Sequence, residues 1–147
     1  MWKYRITVFT PTFNRAYIIS ALFESLKRQS FQDFEWLVID DGSTDNTEEL
    51  FLKFMSEKLN FKIRYLKKEN GGQHRALNDA IPLAEGELFM IVDSDDFLSD
   101  NALERILYYA DSIKGKKGFA GVSGLRCYMD GLTIGGAWAG KKPCVYA

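Results

Sequence analysis

Leu88-Phe89-Met90-Ile91-Val92 runs directly into Asp93-Ser94-Asp95-Asp96, five apolar residues followed by three carboxylates within four positions. An apolar run of that length, opened by Gly86 and closed by an acidic turn, predicts a strand buried on both faces, as central strands of parallel sheets are. The acids then stand at its carboxyl end. In open α/β sheets that edge is where ligands bind, because the loops leaving it surround a crevice at the change in strand order. Carboxylates this close repel one another unless a cation sits among them. Hard oxygen ligands suit Mg²⁺ or Mn²⁺, which take one or two protein carboxylates and complete their shell with substrate phosphates and water. Read alone, Asp-x-Asp is more often a polar turn that caps the next helix. The strand before it, and a second acidic strand end described next, favour a site.

Arg5-Ile6-Thr7-Val8-Phe9-Thr10 is rich in β-branched and aromatic residues and predicts the first strand, ending at Pro11, which cannot donate to a ladder. Ile18, Ile19, Leu22, Phe23 and Leu26 recur at helical spacing. Glu35-Trp36-Leu37-Val38-Ile39 is the second predicted strand, and it also ends in acid, Asp40-Asp41-Gly42-Ser43. Asp45 with Glu48 has the form of a helix start, continued by Leu50, Phe51, Phe54 and Met55. Lys62-Ile63-Arg64-Tyr65-Leu66 alternates as a strand nearer the sheet's edge does. The paired glycines of Asn70-Gly71-Gly72-Gln73-His74-Arg75 allow backbone to approach a ligand before a helix with a small-residue face, Ala76, Leu77, Ala80, Ile81 and Ala84. Pro82 falls in its last turn and Glu85-Gly86 reads as its stop. After the acidic strand, Ser99 is placed to cap a helix carrying Leu103, Ile106, Leu107 and Ala110, and residues 119–129 read as a fifth strand. The alternation of strand and helix predicts an α/β fold: a doubly wound, mainly parallel sheet with helices on both faces.

At 147 residues the chain is expected to form one domain, 1–147. A formal net charge of -1 argues against nucleic acid as a partner. No apolar run approaches the roughly 20 residues that span a bilayer, and no signal-peptide pattern opens the chain, so a cytoplasmic location is expected. Residues 111–147 hold six basic side chains against two acidic ones, which leaves room for peripheral association with the inner face of a membrane. The charges form no dense cluster, and a solvated surface is the better account of them. Cys127 and Cys144 match no zinc or disulfide pattern and read as free thiols.

Neither the Gly-x-Gly-x-x-Gly dinucleotide fingerprint nor the Gly-Lys-Ser/Thr phosphate loop follows any predicted strand. An acidic, metal-loaded edge suits a diphosphate, whose charge a divalent cation neutralises, and further carboxylates can accept hydrogen bonds from ribose hydroxyls or a base N–H. A nucleoside diphosphate joined to a transferable group meets both demands.

At this point the chain resembles the family 2 glycosyltransferases, inverting enzymes with a nucleotide-diphospho-sugar-binding GT-A fold. The likeness lies in Thr10-Pro11-Thr12-Phe13-Asn14-Arg15, Gln29-Ser30-Phe31, Asp40-Asp41-Gly42-Ser43-Thr44-Asp45, Asn70-Gly71-Gly72 with Ala76 and Asn78, and Gly86-Glu87 leading to Asp93-Ser94-Asp95-Asp96. Each motif is weak alone, and five in order at compatible spacing are strong. The resemblance implies a nucleotide-diphospho-sugar donor, a UDP-sugar, with Mn²⁺ or Mg²⁺, and a saccharide or lipid-linked acceptor such as a cell-surface polysaccharide. It implies that Pro11 and Thr12, with Asn14 and Arg15 beyond them, form the loop against the nucleoside, and that Asp41 accepts the base N–H. Gly72 and Arg75 belong by resemblance to a loop near base and phosphates, with Asn78 following on the helix. Asp93 and Asp95 match the family's Asp-x-Asp, shared between ribose hydroxyls and metal. Ser94 stands between them, and Asp96 is the extra acid that takes the metal in some relatives. Asp95 and Asp96 are therefore both candidate metal ligands. His74, the only histidine, has only its place beside a motif to recommend it.

The family's later acidic motif, which supplies the general base, cannot be placed on residues 129–147, where Asp130 is the only acid. The expectation is a donor-binding part lacking the acceptor segment, binding donor without transferring it, with the catalytic base unassigned. Two other readings stay open. A non-catalytic nucleotide-sugar-binding module would look the same, and a receiver-type signalling domain also gathers acids at this edge, though residues 119–129 lack the strand-end Lys it needs.

Overall fold

The computed structural model describes residues 1–124, 127, 128 and 134. The chain divides into two compact units, Met1–Asp100 and Asn101–Ala147. The first holds β1 (Tyr4–Thr12), α1 (Ser20–Lys27), β2 (Phe34–Asp40), α2 (Thr47–Ser56), β3 (Lys62–Lys67), α3 (Gln73–Ala80), a 3-10 turn over Ile81–Leu83 and β4 (Gly86–Ile91). All strand pairs are parallel, in the order β3-β2-β1-β4. The order reverses between β1 and β4, and this places the crevice of a doubly wound sheet at their carboxyl ends.

Side-chain alternation along the strands separates two faces. Trp36 and Tyr65 point to one of them and meet the helices there: Phe23 of α1 stacks on Phe54 of α2 at 3.9 Å, and Phe51 lies 5.2 Å from Trp36 and 4.7 Å from Tyr65, between ring centroids. Phe9, Leu37 and Ile39 point the other way and pack on Ala76 and Ala80 of α3. The small residues of α3 let its backbone lie close on the sheet, while each fully buried aromatic on the opposite face contributes about 1.5–3 kcal/mol.

Pro11 lies within β1 rather than ending it, in register with Ile39. The carbonyl of Phe9 accepts from the Val92 N–H at 2.9 Å, so Phe9 and, two residues on, Pro11 aim their backbone toward β4. Pairing with β4 stops at Phe9 and Ile91, and no N–H is needed at Pro11. Gly86 does not stop a helix: α3 ends at Ala80, before Pro82, and Gly86 opens β4. A Cβ there would sit 2.3 Å from the Thr7 nitrogen, so only glycine lets β4 close on β1. Nor is β4 buried on both faces; Leu88 to Met90 are half-buried and Ile91 is 49% exposed. Among the described residues β4 pairs with β1 alone, and the strands buried along nearly their whole length are β1 and β2.

At the amino end of the sheet Glu35 is fully buried. It accepts from the Thr7 hydroxyl at 2.7 Å and the Glu85 N–H at 2.6 Å, and pairs with Arg64 at 2.9 Å. A carboxylate is tolerated there because every contact is a donor or a cation.

In the second unit α4 (Ala102–Ile113) buries Ala102, Leu103, Ile106 and Leu107. Its N-cap position is Asn101 rather than Ser99, whose carbonyl instead accepts from the Gln29 amide at 2.7 Å. Residues 119–124 form no strand, and only an isolated bridge at Cys127 stands in the expected fifth; Leu125, Arg126 and Met129 lie outside the described residues. Cys127 is exposed and free, while Cys144 and Asp130 also lie outside them. No helix among the described residues is long and apolar enough to cross a membrane.

Candidate functional site

The adjacent acids ending β2 point to opposite faces and do different work. Asp40, fully buried, accepts from the Ser43 N–H at 2.7 Å through one oxygen and from the Tyr65 hydroxyl through the other. Burial, reinforced by the Asp40 carboxylate, pushes the Tyr65 phenol far above its ordinary range. That stabilisation is complete below the unfolded tyrosine value of about 10 and is lost as pH rises beyond it. Tyr65→Phe is therefore expected to lower stability by about 2 kcal/mol at pH 8 by stranding the Asp40 oxygen. The gap to the native protein should narrow above about pH 10, in urea unfolding at both values.

Asp41, 5% exposed, faces α3. Its Oδ1 accepts the Gly71 N–H at 2.8 Å and its Oδ2 the Gly72 N–H at 2.7 Å. Beside it Gly42 takes φ 86°, and a Cβ there would lie 2.9 Å from the Asn70 nitrogen. The Lys68 N–H donates to the Asp40 carbonyl at 2.9 Å. The end of β2 and the loop before α3 thus form one packed unit, with a carboxylate facing the positive end of α3. The paired glycines do bring backbone close to something, and here it is Asp41.

At the end of β1, Thr12 is buried in register with Asp40, and its hydroxyl has no protein partner. Asn14 takes φ 52°. Its Oδ1 accepts from the Thr44 N–H at 2.8 Å and the Asp45 N–H at 3.3 Å, while its own N–H donates to Ser43 Oγ at 2.8 Å. Asp45 in turn accepts from the Thr47 hydroxyl at 2.6 Å and the Ala16 N–H at 3.1 Å. Burial works against the Asp45 carboxylate, but these donors outweigh it and hold the carboxyl below its usual value. The β1 and β2 loops are stapled together through Asn14, whose amide NH₂ alone remains for a ligand. Arg15 reaches the Tyr17 hydroxyl at 3.3 Å.

At the end of β4, Asp93 is half-buried and its Oδ1 accepts from the Gln73 side-chain amide at 3.3 Å. The Asp96 N–H closes a turn onto the Asp93 carbonyl at 3.1 Å. That turn buries Ser94, exposes Asp95 and leaves Asp96 half-buried. On α3 the exposed Arg75 lies across Gly71, where a Cβ would meet its Cδ at 2.9 Å; Asn78 and His74 are also exposed. The structure therefore draws Asp41, Gly72 and Asp93 together around the start of α3, whereas Asn14 and Arg15 engage the β1–α1 and β2–α2 loops. Gln73 was not singled out by sequence, because an amide beside a glycine pair carries no signal until its partner across the sheet is known.

Among the described residues no three His, Cys, Asp or Glu side chains are grouped to hold a metal by themselves. The donor set nevertheless fits a hard divalent cation of the kind completed by a ligand's phosphates, which needs only one or two carboxylates, and the exposed Asp95 offers one.

Residues 7–131 match the family model described as glycosyl transferase family 2. The poly(ribitol-phosphate) beta-N-acetylglucosaminyltransferase TarS of Staphylococcus aureus is 37% identical over 109 residues, covering 73% of this chain and 19% of TarS. The crystal structure of S. aureus TarS 1-349 in complex with UDP-GlcNAc superposes with a TM-score of 0.65 at 36% identity, over 74% of this chain and 31% of that one. The mannosyltransferase PcManGT from Pyrobaculum calidifontis, solved with GDP-Man and Mn²⁺, gives a TM-score of 0.72 at 25% identity, over 86% and 37% of the two chains. The chain thus spans about a fifth of the length of the relative and about a third of each solved chain. A four-stranded parallel sheet carrying helices on both faces agrees with these GT-A neighbours, and the receiver-type reading is set aside. With the family model matched along most of its length, the chain belongs to glycosyl transferase family 2.

Proposed function

We propose that this chain is the donor-binding part of a glycosyltransferase that takes a UDP-sugar, with a divalent cation, for transfer to a saccharide or polymer acceptor. The observation that carries the reading is the pair of acidic strand ends, Asp41 just after β2 and Asp93–Asp96 after β4, set on either side of β1 and both bonded to the start of α3. Each Asp41 oxygen accepts one amide and keeps a lone pair for the N–H of a base. Asp93 engages Gln73 through Oδ1 and keeps Oδ2 for sugar hydroxyls. Thr12, Gly72, Arg75 and Asn78 complete the nucleotide side, with Pro11 as the end of the β1 wall. Asp95 and Asp96 are the residues that would hold the cation. When bound, such an ion neutralises the charge on a departing diphosphate. Uracil is favoured over guanine because the TarS likeness, solved with UDP-GlcNAc, is nearer in sequence than PcManGT, solved with GDP-Man.

Titration calorimetry with UDP, GDP, CDP and ADP, each with and without Mn²⁺, tests the reading. UDP is expected to bind tightest and to need the metal. Equal binding of all four, or none of any, would overturn it.

A further inference from the structure

Gln73 is the first residue of α3 and follows directly on the glycines whose N–H groups hold Asp41. Its side chain reaches away from β2, donating from Nε2 to Asp93 Oδ1 at 3.3 Å. Because the sheet order is β2-β1-β4, the start of α3 is bonded to the acids just beyond the two strands that flank β1. At a strand spacing of about 4.8 Å this bridges roughly 10 Å of crevice. On the β2 side the bridge is main chain and fixed; on the β4 side it rests on one exposed amide. Asp93 stands two residues beyond Ile91, the last paired residue of β4, and among the described residues its carboxylate accepts a hydrogen bond from Gln73 alone.

We infer that Gln73 is a positioning residue of the donor site: it orients the Asp93 carboxylate and ties it, through the Gly71–Gly72 turn, to Asp41. This rests on the proposed donor reading, in which Asp93 receives the ribose hydroxyls. A carboxylate at a strand end turns freely about its side-chain bonds. Holding Oδ1 fixes where Oδ2 points, so the hydroxyls of a nucleoside whose base sits on Asp41 meet an acceptor already in place. The amide must donate: a carboxylate at position 73 would face Asp93 with like charge and turn it away. Gln73 needs no ligand contact for this role.

The measurement is the ratio of affinities for UDP and 2′,3′-dideoxy-UDP at fixed Mn²⁺, which isolates the ribose hydroxyls, in the 147-residue chain. Gln73→Ala is expected to lower that ratio about fivefold, the worth of one ordinary hydrogen bond, because the loss reaches the ligand only through Asp93, and Gln73→Glu by at least as much. Affinity for dideoxy-UDP should hardly change in either variant. In an Asp93→Ala background, Gln73→Ala should lower the ratio no further. Equal weakening of both ligands by Gln73→Ala, or an unchanged ratio, overturns the inference while leaving the donor reading intact. A native chain that binds UDP and dideoxy-UDP alike overturns the role of Asp93, and a native chain that binds neither overturns the donor reading itself.

Discussion

Replacing Asp95 and Asp96 together by asparagine is expected to remove the metal-dependent part of UDP affinity while leaving the fold in place. Asp95 is exposed, so its charge contributes nothing to a desolvated pair, and the Asp96 N–H that closes the turn onto Asp93 is untouched by the substitution. For the exposed Asp95 the change in stability should stay within about 0.5 kcal/mol, as for surface substitutions in general. Affinity is different. Loss of an outer partner of a metal ligand already costs about 10–100-fold in metal affinity, so removing the ligands' charge should cost at least about 100-fold. The measurement is the UDP affinity with and without Mn²⁺ in the native chain and the double variant. An undiminished Mn²⁺ effect in the double variant sinks the assignment. The single variants then rank the two acids: the exposed Asp95 is expected to carry most of the loss, because its carboxylate is open to a cation at the crevice whereas Asp96 is half-buried.

Much of this arrangement was legible in the residues, for reasons that also mark where legibility ends. Trp36, Val38 and Ile39 announce a buried strand, and the acids after them announce its ligand-binding end, because period and polarity are local properties. The first strand, the α1 stripe and the edge position of β3 followed in the same way. What a residue meets across the sheet is not local. Pro11 stays inside β1 because β4 has already stopped pairing, and Gly86 begins a strand because the Thr7 backbone lies against it. Neither fact exists until strands are ordered. The run from Leu88 to Val92 looked central by composition, yet the sheet places β4 beside β1 alone among the described residues. Position in the sheet decided its exposure. The glycine pair was read as letting backbone approach a ligand; that its N–H groups hold Asp41, which lies 30 residues from Gly71 in sequence, was not legible for the same reason. Asn14 gives a further case, placed by resemblance against the nucleoside while its oxygen staples two loops.

Asp41→Ala should produce the largest combined effect in this chain, on binding and on stability together. Two glycine N–H groups converge on its carboxylate at 2.8 and 2.7 Å, and Asp41 is 5% exposed. Removing the side chain leaves both donors pointing into the space it occupied, at a cost of about 3 kcal/mol for hydrogen bonds to a charged acceptor. The loop before α3 would then lose its side-chain anchor to β2, keeping the backbone bond from Lys68 to the Asp40 carbonyl. Asp41→Asn probes the charge alone. Its shape is conserved, but the amide NH₂ must face one of the two glycine N–H groups, donor against donor, so stability should fall nearly as far as in the alanine variant. Base selectivity should fall as well: a uracil N–H that meets a neutral amide oxygen loses the charge-assisted part of its bond, and UDP should weaken by roughly 1.5–3 kcal/mol in Asp41→Ala. Nucleotides whose base offers no N–H at that point should weaken much less. The check is urea unfolding of both variants beside titration with UDP and with N3-methyl-UDP, which cannot donate. A loss of affinity equal for the two ligands would make Asp41 a loop anchor only. A loss confined to UDP, alongside the stability change, is the result the geometry requires, because the same two oxygens that hold the glycines keep one lone pair each for the base.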